Sequence, residues 1–168
     1  MKKLFILYIL LFICATTKAQ SSIQKLINEG IEFHDKKQYQ KAIDKYKEAL
    51  KIDTNSWLAN YEIAFSYFQL KDYENTIKHS EKSIKNDKNN AYYSYIILGS
   101  AYDLINKPQK AIKTYKKGIH KFPKVFLLHY NLSLTYYNLK DIKNAEPYAI
   151  KAIQLNPNHS SSHLIFHI

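Results

Sequence analysis

Arginine is missing from this 168-residue chain, in which all 25 basic side chains are lysine. Lysine lacks the planar guanidinium fork that reads guanine edges and phosphates bidentately, so the residue type suited to specific nucleic-acid recognition is absent. Glycine is scarce, with three residues, and so is proline, with four. That leaves little turn material for an all-β fold and points to helices. The one cysteine, Cys14, falls near the start of the chain, so the rest has no thiol for a disulfide, a nucleophile or a thiolate metal site. No glycine-rich phosphate loop, serine elbow or HExxH pair occurs, and the chain is not expected to be an enzyme.

What is present divides at about residue 20. MKKLFILYILLFICATTKAQ opens with Lys2 and Lys3, continues through an unbroken apolar run from Leu4 to Ile13, and reaches the small-residue pattern of a peptidase site at Thr17-Lys18-Ala19. The run is shorter than the roughly 20 residues a membrane-spanning helix needs. Residues 1–19 therefore read as a cleaved export signal, which leaves a chain that does not span the membrane in a periplasmic, outer-membrane-associated or secreted location, in a bacterium. A lipoprotein signal at Cys14 is the alternative, with Leu11 three places back, but Ile13 stands where such signals need a small residue. After the leader the balance stays basic against 14 acids. An AT-rich coding sequence also produces this excess of lysine, asparagine, isoleucine and tyrosine.

Beyond residue 22 the chain repeats with a period of 34 residues, in blocks 23–56, 57–90, 92–125 and 126–159. Three columns hold only small residues. The eighth place reads Gly30, Ala64, Gly99, Ser133; the twentieth Ala42, Thr76, Ala111, Ala145; the twenty-seventh Ala49, Ser83, Gly118, Ala152. The eleventh is aromatic throughout, as Phe33, Tyr67, Tyr102 and Tyr136, and the twenty-eighth aliphatic, as Leu50, Ile84, Ile119 and Ile153. Spacings of three and four within each half-block put these columns on helical faces, so each block encodes two amphipathic helices. Asp72 and Asp141 are placed to cap the second helix of their blocks, Pro108 suits a first helical turn, and Pro123 and Pro157 mark exits. Glycine costs about 1 kcal/mol against alanine inside a helix, and the columns supply its reason: the two helices cross too closely there for a large side chain.

This pattern resembles the tetratricopeptide repeat in period and in its small, aromatic and proline positions. The third block, YYSYIILGSAYDLINKPQKAIKTYKKGIHKFPK, is the closest copy, with Leu98-Gly99, Tyr102, Ala111, Tyr115 and Pro123 in place. The resemblance spans residues 23–159. It implies an all-α fold, a right-handed superhelical solenoid of antiparallel helix pairs, with a concave groove that binds a protein or peptide partner and no cofactor. The groove columns of the family, carried onto this chain, are Gln24, Ile27, Ile31 and His34, then Leu58, Tyr61, Phe65 and Phe68. They continue as Tyr93, Ile96, Ser100 and Asp103, and as Leu127, Tyr130, Leu134 and Tyr137. Apolar members such as Ile27, Ile31, Leu127 and Leu134 are equally well read as inter-repeat core. No lysine falls on these columns, which argues against the lysine-built clamp by which some relatives hold acidic chaperone tails.

Lysines concentrate instead in the second helices, on the expected outer face. They read as a solvated surface supported by pairs such as Glu74 with Lys78 and Glu81 with Lys85. The alternative is attraction to an anionic glycan, lipid or envelope polymer, with stacked tyrosines as a further means of holding sugars. His159, His163 and His167 recur every fourth residue and are weak metal candidates with no accompanying carboxylate. Residues 160–168 read as the start of a truncated fifth repeat or of a capping helix.

Overall fold

The computed structural model describes the backbone of residues 2–87 and 89–158 and the side chains from residue 18 onward. Eight helices and no strands occur among the described residues: α1 (Lys2–Asp35), α2 (Tyr39–Ile52), α3 (Trp57–Gln69), α4 (Tyr73–Asn86), α5 (Tyr92–Leu104), α6 (Pro108–Lys121), α7 (Phe126–Asn138) and α8 (Ile142–Leu155). The segment read as an export signal and the first helix of the array are continuous in α1. No helix among the described residues is long and apolar enough to cross a membrane. The terminal histidines and residues 160–168 lie outside the described residues.

Each helix packs on its neighbours in sequence, and α1 also meets α3, α3 meets α5, and α5 meets α7. The odd-numbered helices thus converge on one side while the even ones spread on the other, which places the odd helices on the inside of a curved solenoid. The core is correspondingly built repeat by repeat. Ile23, Ile27, Tyr46, Ala59 and Ile63 form one cluster, and Ile112, Tyr115, Leu128, Leu132 and Tyr136 another. Between them the interior mixes apolar side chains such as Ala64, Ile97 and Leu98 with hydrogen-bonded polar ones. Asn60 Oδ1 accepts from His79 Nδ1 at 3.0 Å, and Ser94 Oγ donates to Ser83 Oγ at 2.8 Å, all buried.

The glycines pack as their columns imply. A β-carbon on Gly30 would enter the ring of Tyr46, one on Gly99 the ring of Tyr115, and one on Gly118 would lie 2.9 Å from Leu128 Cδ2. The tyrosines occupy the twenty-fourth place. Where the eighth residue is larger, as Ala64 or Ser133, the twenty-fourth is small, Ser80 or Ala149. Volume is conserved across the pair, as dense packing requires.

Helix ends repeat as faithfully. Lys37, Lys71, Asn106 and Lys140, the fifteenth residue of each block, all have φ between 56° and 63°. Around each, two backbone bonds close the helix C-terminus, such as Asp72 N to Tyr67 O and Lys71 N to Phe68 O, both at 3.0 Å. This is the Schellman geometry, with lysine or asparagine at the left-handed position that usually takes glycine. Asp72 Oδ1 accepts from Asn75 N at 3.1 Å and Asp141 Oδ1 from Asn144 N at 3.2 Å, so both expected caps form, and Pro108 opens α6. The expected pairs of Glu74 with Lys78 and Glu81 with Lys85 do not close. Among the described residues Lys45 bridges Glu29 and Glu48, while Glu81 accepts from the Tyr102 hydroxyl at 3.1 Å.

Candidate functional site

Helices α3, α5 and α7 carry almost no charge: Glu62 is the one charged residue of α3, Asp103 that of α5, and α7 has neither acid nor lysine. Aromatic rings of α3 and α5, joined by His34 of α1 and Tyr39 of α2, touch in series. Tyr39 meets His34 edge-on at 5.0 Å between centroids; His34 stacks on Phe65 at 4.6 Å, and Phe65 is followed by Tyr61 at 6.3 Å. From there the ladder crosses to α5, through Tyr93 at 5.9 Å and Tyr92 at a further 4.2 Å. Phe65 and Tyr61 are four residues apart on α3, which is why one helix presents two consecutive rungs.

The expected groove residues divide by position. Tyr61, Phe65 and Tyr93 form the ladder, with Tyr93 48% exposed. Leu58 and Ile96 are partly buried against the two core clusters, as is Ile31, and Ile27 is 2% exposed. Phe68 turns its ring onto Tyr73 at the start of α4, at 5.8 Å. Leu127, Tyr130 and Leu134 are half-buried on α7, and Tyr137 is exposed with Lys140 Nζ 5.7 Å from its ring centre. His34 and Asp103 tie repeats together. His34 Nδ1 lies 2.8 Å from Ser66 Oγ, and Thr135 Oγ1 donates to Asp103 Oδ2 at 2.7 Å, each joining the twelfth residue of one block to the tenth of the next. The Tyr115 hydroxyl also reaches Asp103 at 3.4 Å and Ser100 at 3.1 Å.

Three site residues lie off the family's groove columns. Trp57 and Tyr92 each stand one place before a column, and Glu62 one place after. Glu62 is the strongest signal, being a lone carboxylate in the otherwise uncharged run WLANYEIAFSYF. A cavity of about 430 Å³ opens between α3 and α5, lined by Trp57, Leu58, Tyr61, Glu62, Tyr92 and Tyr93 among others. Burial raises the Glu62 carboxyl to about 7, with the charge of Asp35 adding to the effect. Burial and the Glu62 charge in turn push the Tyr46 and Tyr61 phenols upward. Burial likewise raises Asp103, against the two hydroxyls that bond it, and lowers His34.

The outer side carries the opposite charge. Each aromatic of the eleventh column lies under a lysine: Lys41 over Phe33, Lys47 over Tyr67, Lys110 over Tyr102 and Lys116 over Tyr136, at 5.5–5.8 Å from the ring centres. A shallow cavity of about 830 Å³ there is bordered by Tyr95, Lys113, Lys116, Lys117 and Lys121. No group of three or more histidine, cysteine or acidic side chains able to hold a metal occurs among the described residues.

Known proteins share this architecture. Family models described as TPR repeat and tetratricopeptide repeat match residues 30–71 and residues 59–90, 92–119 and 127–159. Small glutamine-rich tetratricopeptide repeat-containing protein 2 of Saccharomyces cerevisiae is 32% identical over 103 residues, covering 61% of this chain and 29% of its own. Hsp70-Hsp90 organising protein of Plasmodium falciparum is 23% identical, covering 80% of this chain and 24% of its own. The chain thus spans less than a third of the length of these relatives. Among solved structures, MamA superposes with a TM-score of 0.73 at 24% identity, covering 82% of both chains. The pilF protein of Pseudomonas aeruginosa superposes at 0.79 and 19%, covering 88% of this chain and 67% of its own. By these matches and its eight-helix solenoid, the chain belongs to the tetratricopeptide repeat family, whose scaffolds typically serve protein–protein interaction and typically lack enzymatic activity.

Proposed function

We propose that this chain is an exported scaffold that holds a protein or peptide partner on the inner face of its odd-numbered helices. The observation that carries the reading is the ladder His34, Phe65, Tyr61, Tyr93, Tyr92, a continuous aromatic strip on a nearly uncharged face. Rings of this kind contribute large contact area at low cost in side-chain entropy, which is why binding energy concentrates on them. An extended peptide is the natural occupant of such a strip. Purified chain carrying Tyr61→Ala and Phe65→Ala should lose capture of a partner from envelope extract while keeping its helical circular dichroism. Unchanged capture by the folded variant would sink the reading. Export is supported by the composition of residues 1–19. Fractionation of the full chain, with N-terminal sequencing of the recovered protein, should find it outside the cytoplasm and beginning near Gln20.

A second reading has an observation of its own, the lysine-bordered outer cavity beside Tyr95. Contact with an anionic envelope polymer there would be salt-sensitive, because the lysines are exposed and screened. Retention on a polyanion column that vanishes at moderate salt would favour it, and salt-insensitive sugar binding would favour the tyrosines instead.

A further inference from the structure

Charge is sorted by side in this molecule. Although the chain carries a formal charge of +11, none of its lysines lies on α3, α5 or α7. The cavity between α3 and α5 has aromatic walls in Trp57, Tyr61, Tyr92 and Tyr93, and among the described residues its one charged lining group is the carboxylate of Glu62. Ring faces are the negative ends of aromatic quadrupoles and attract cations, more strongly where water is displaced. A carboxylate at the edge of such walls supplies the full countercharge.

We propose that this cavity receives a lysine or arginine side chain of the bound peptide, held between the tyrosine rings and the Glu62 carboxylate. The proposal rests on the groove reading above and names the chemistry of its partner. Opposite charge makes the choice: an acidic residue entering the cavity would meet Glu62, and an apolar one would leave that half-buried carboxylate without a countercharge. The net positive charge of the whole chain repels cations at long range, so a cation that binds does so through this local group.

Binding is also linked to protons. Among the described residues the titratable groups around Glu62 are Asp35 from α1, Tyr46 from α2, Tyr61 on its own helix, and Tyr92 and Tyr93 from α5; α4 contributes nothing to the lining, and no described lysine or histidine does. With the carboxyl raised to about 7, its ionised fraction increases about tenfold from pH 6 to pH 8. Affinity for a cation rises with it.

Trp57, the single tryptophan, lies in the cavity wall and reports on occupancy. The test titrates the whole chain with capped alanine-serine heptapeptides bearing a central lysine, arginine, norleucine or glutamate, following Trp57 emission, with choline chloride as a further probe. Lysine and arginine peptides should bind at least tenfold more tightly than norleucine or glutamate peptides at pH 8, with most of that preference gone at pH 6. Glu62→Gln, which keeps the shape and removes a half-buried charge, should abolish the preference at both pH values. Equal binding of lysine and norleucine peptides, or an undiminished preference in Glu62→Gln, overturns the proposal. Choline binding as tightly as the lysine peptide overturns it too, by marking a headgroup receptor. If Glu62→Gln leaves peptide choice unchanged while Tyr61→Ala with Phe65→Ala still ends partner capture, the cation assignment falls and the groove reading stands. If capture survives the double alanine, the groove reading falls and this proposal with it.

Discussion

The ring of Tyr115 lies against Gly99 so closely that a β-carbon at residue 99 would overlap it, and Tyr46 stands over Gly30 in the same way. Tyr115 is fully enclosed at this crossing, and its hydroxyl reaches Ser100 and Asp103. The glycine, the ring and its polar tip form one unit that locks α5 to α6.

Gly99→Ala should therefore destabilise the chain by about 1–3 kcal/mol, although alanine is the better helix former by about 1 kcal/mol. Urea unfolding of Gly99→Ala, Tyr115→Ala and the double variant should give a double less costly than the sum of the singles, because the residues share one volume. A stabilising Gly99→Ala would contradict the packing account.

At the left-handed turn positions the sign is reversed. Lys71 has φ of 60° and Lys140 of 63°, a conformation that costs a residue with a β-carbon about 1–2 kcal/mol. Lys71→Gly should stabilise by about 0.5–1 kcal/mol after the added freedom of the unfolded chain is counted, whereas Lys71→Ala should not. Thermal unfolding of the two variants compares them directly.

Asp103 depends on its neighbour from the next repeat. Thr135→Val keeps the shape but removes the 2.7 Å bond to a half-buried carboxylate, and should cost about 1–2 kcal/mol. Since α5 and α7 are the joined elements, amide hydrogen exchange should quicken first in α7 and α8. Uniform acceleration along the chain would show that the tie is not local.

A buried group and a half-buried one give opposite pH slopes. Burial, with Lys82, Lys78 and Lys47 nearby, lowers His79 to about 4, so the unfolded chain takes up this proton first and stability falls as pH drops from about 6.5 towards 4. Glu62, raised to about 7, does the reverse: its contribution is complete below pH 4.5 and is lost as pH rises through 7. Glu62→Gln should thus gain about 3 kcal/mol over wild type at pH 8 and nothing at pH 4. The His79 ring protons should hold constant NMR shifts down to about pH 5. A His79 titration near 6.5 would contradict its burial against Asn60.

The period, the paired helices, the small-residue columns and the caps at Asp72 and Asp141 were legible in the chain, because each depends on residues within a few turns of one another. The aromatic strip was partly legible. Tyr61, Phe65 and Tyr93 follow the family columns, but Tyr92 and Glu62 fall beside them. Column arithmetic assigns a face by helical phase alone, whereas the wall of a cavity also includes residues brought in by the neighbouring helix. His34 and Asp103 fit the groove columns and yet serve as ties, because their partners Ser66 and Thr135 lie 32 residues away.

The sequence by itself determined that this is an array of helix pairs, since periodic apolar and small residues admit few other ways to bury their faces. It also determined that α3, α5 and α7 carry no lysine. Tertiary structure alone decided which aromatics touch, which lysine covers which ring, and that a carboxylate on α3 faces tyrosines of α5. Those relationships arise where separate helices cross, and the distances there are set by the volumes of side chains such as Tyr46 and Tyr115 against the glycines that admit them.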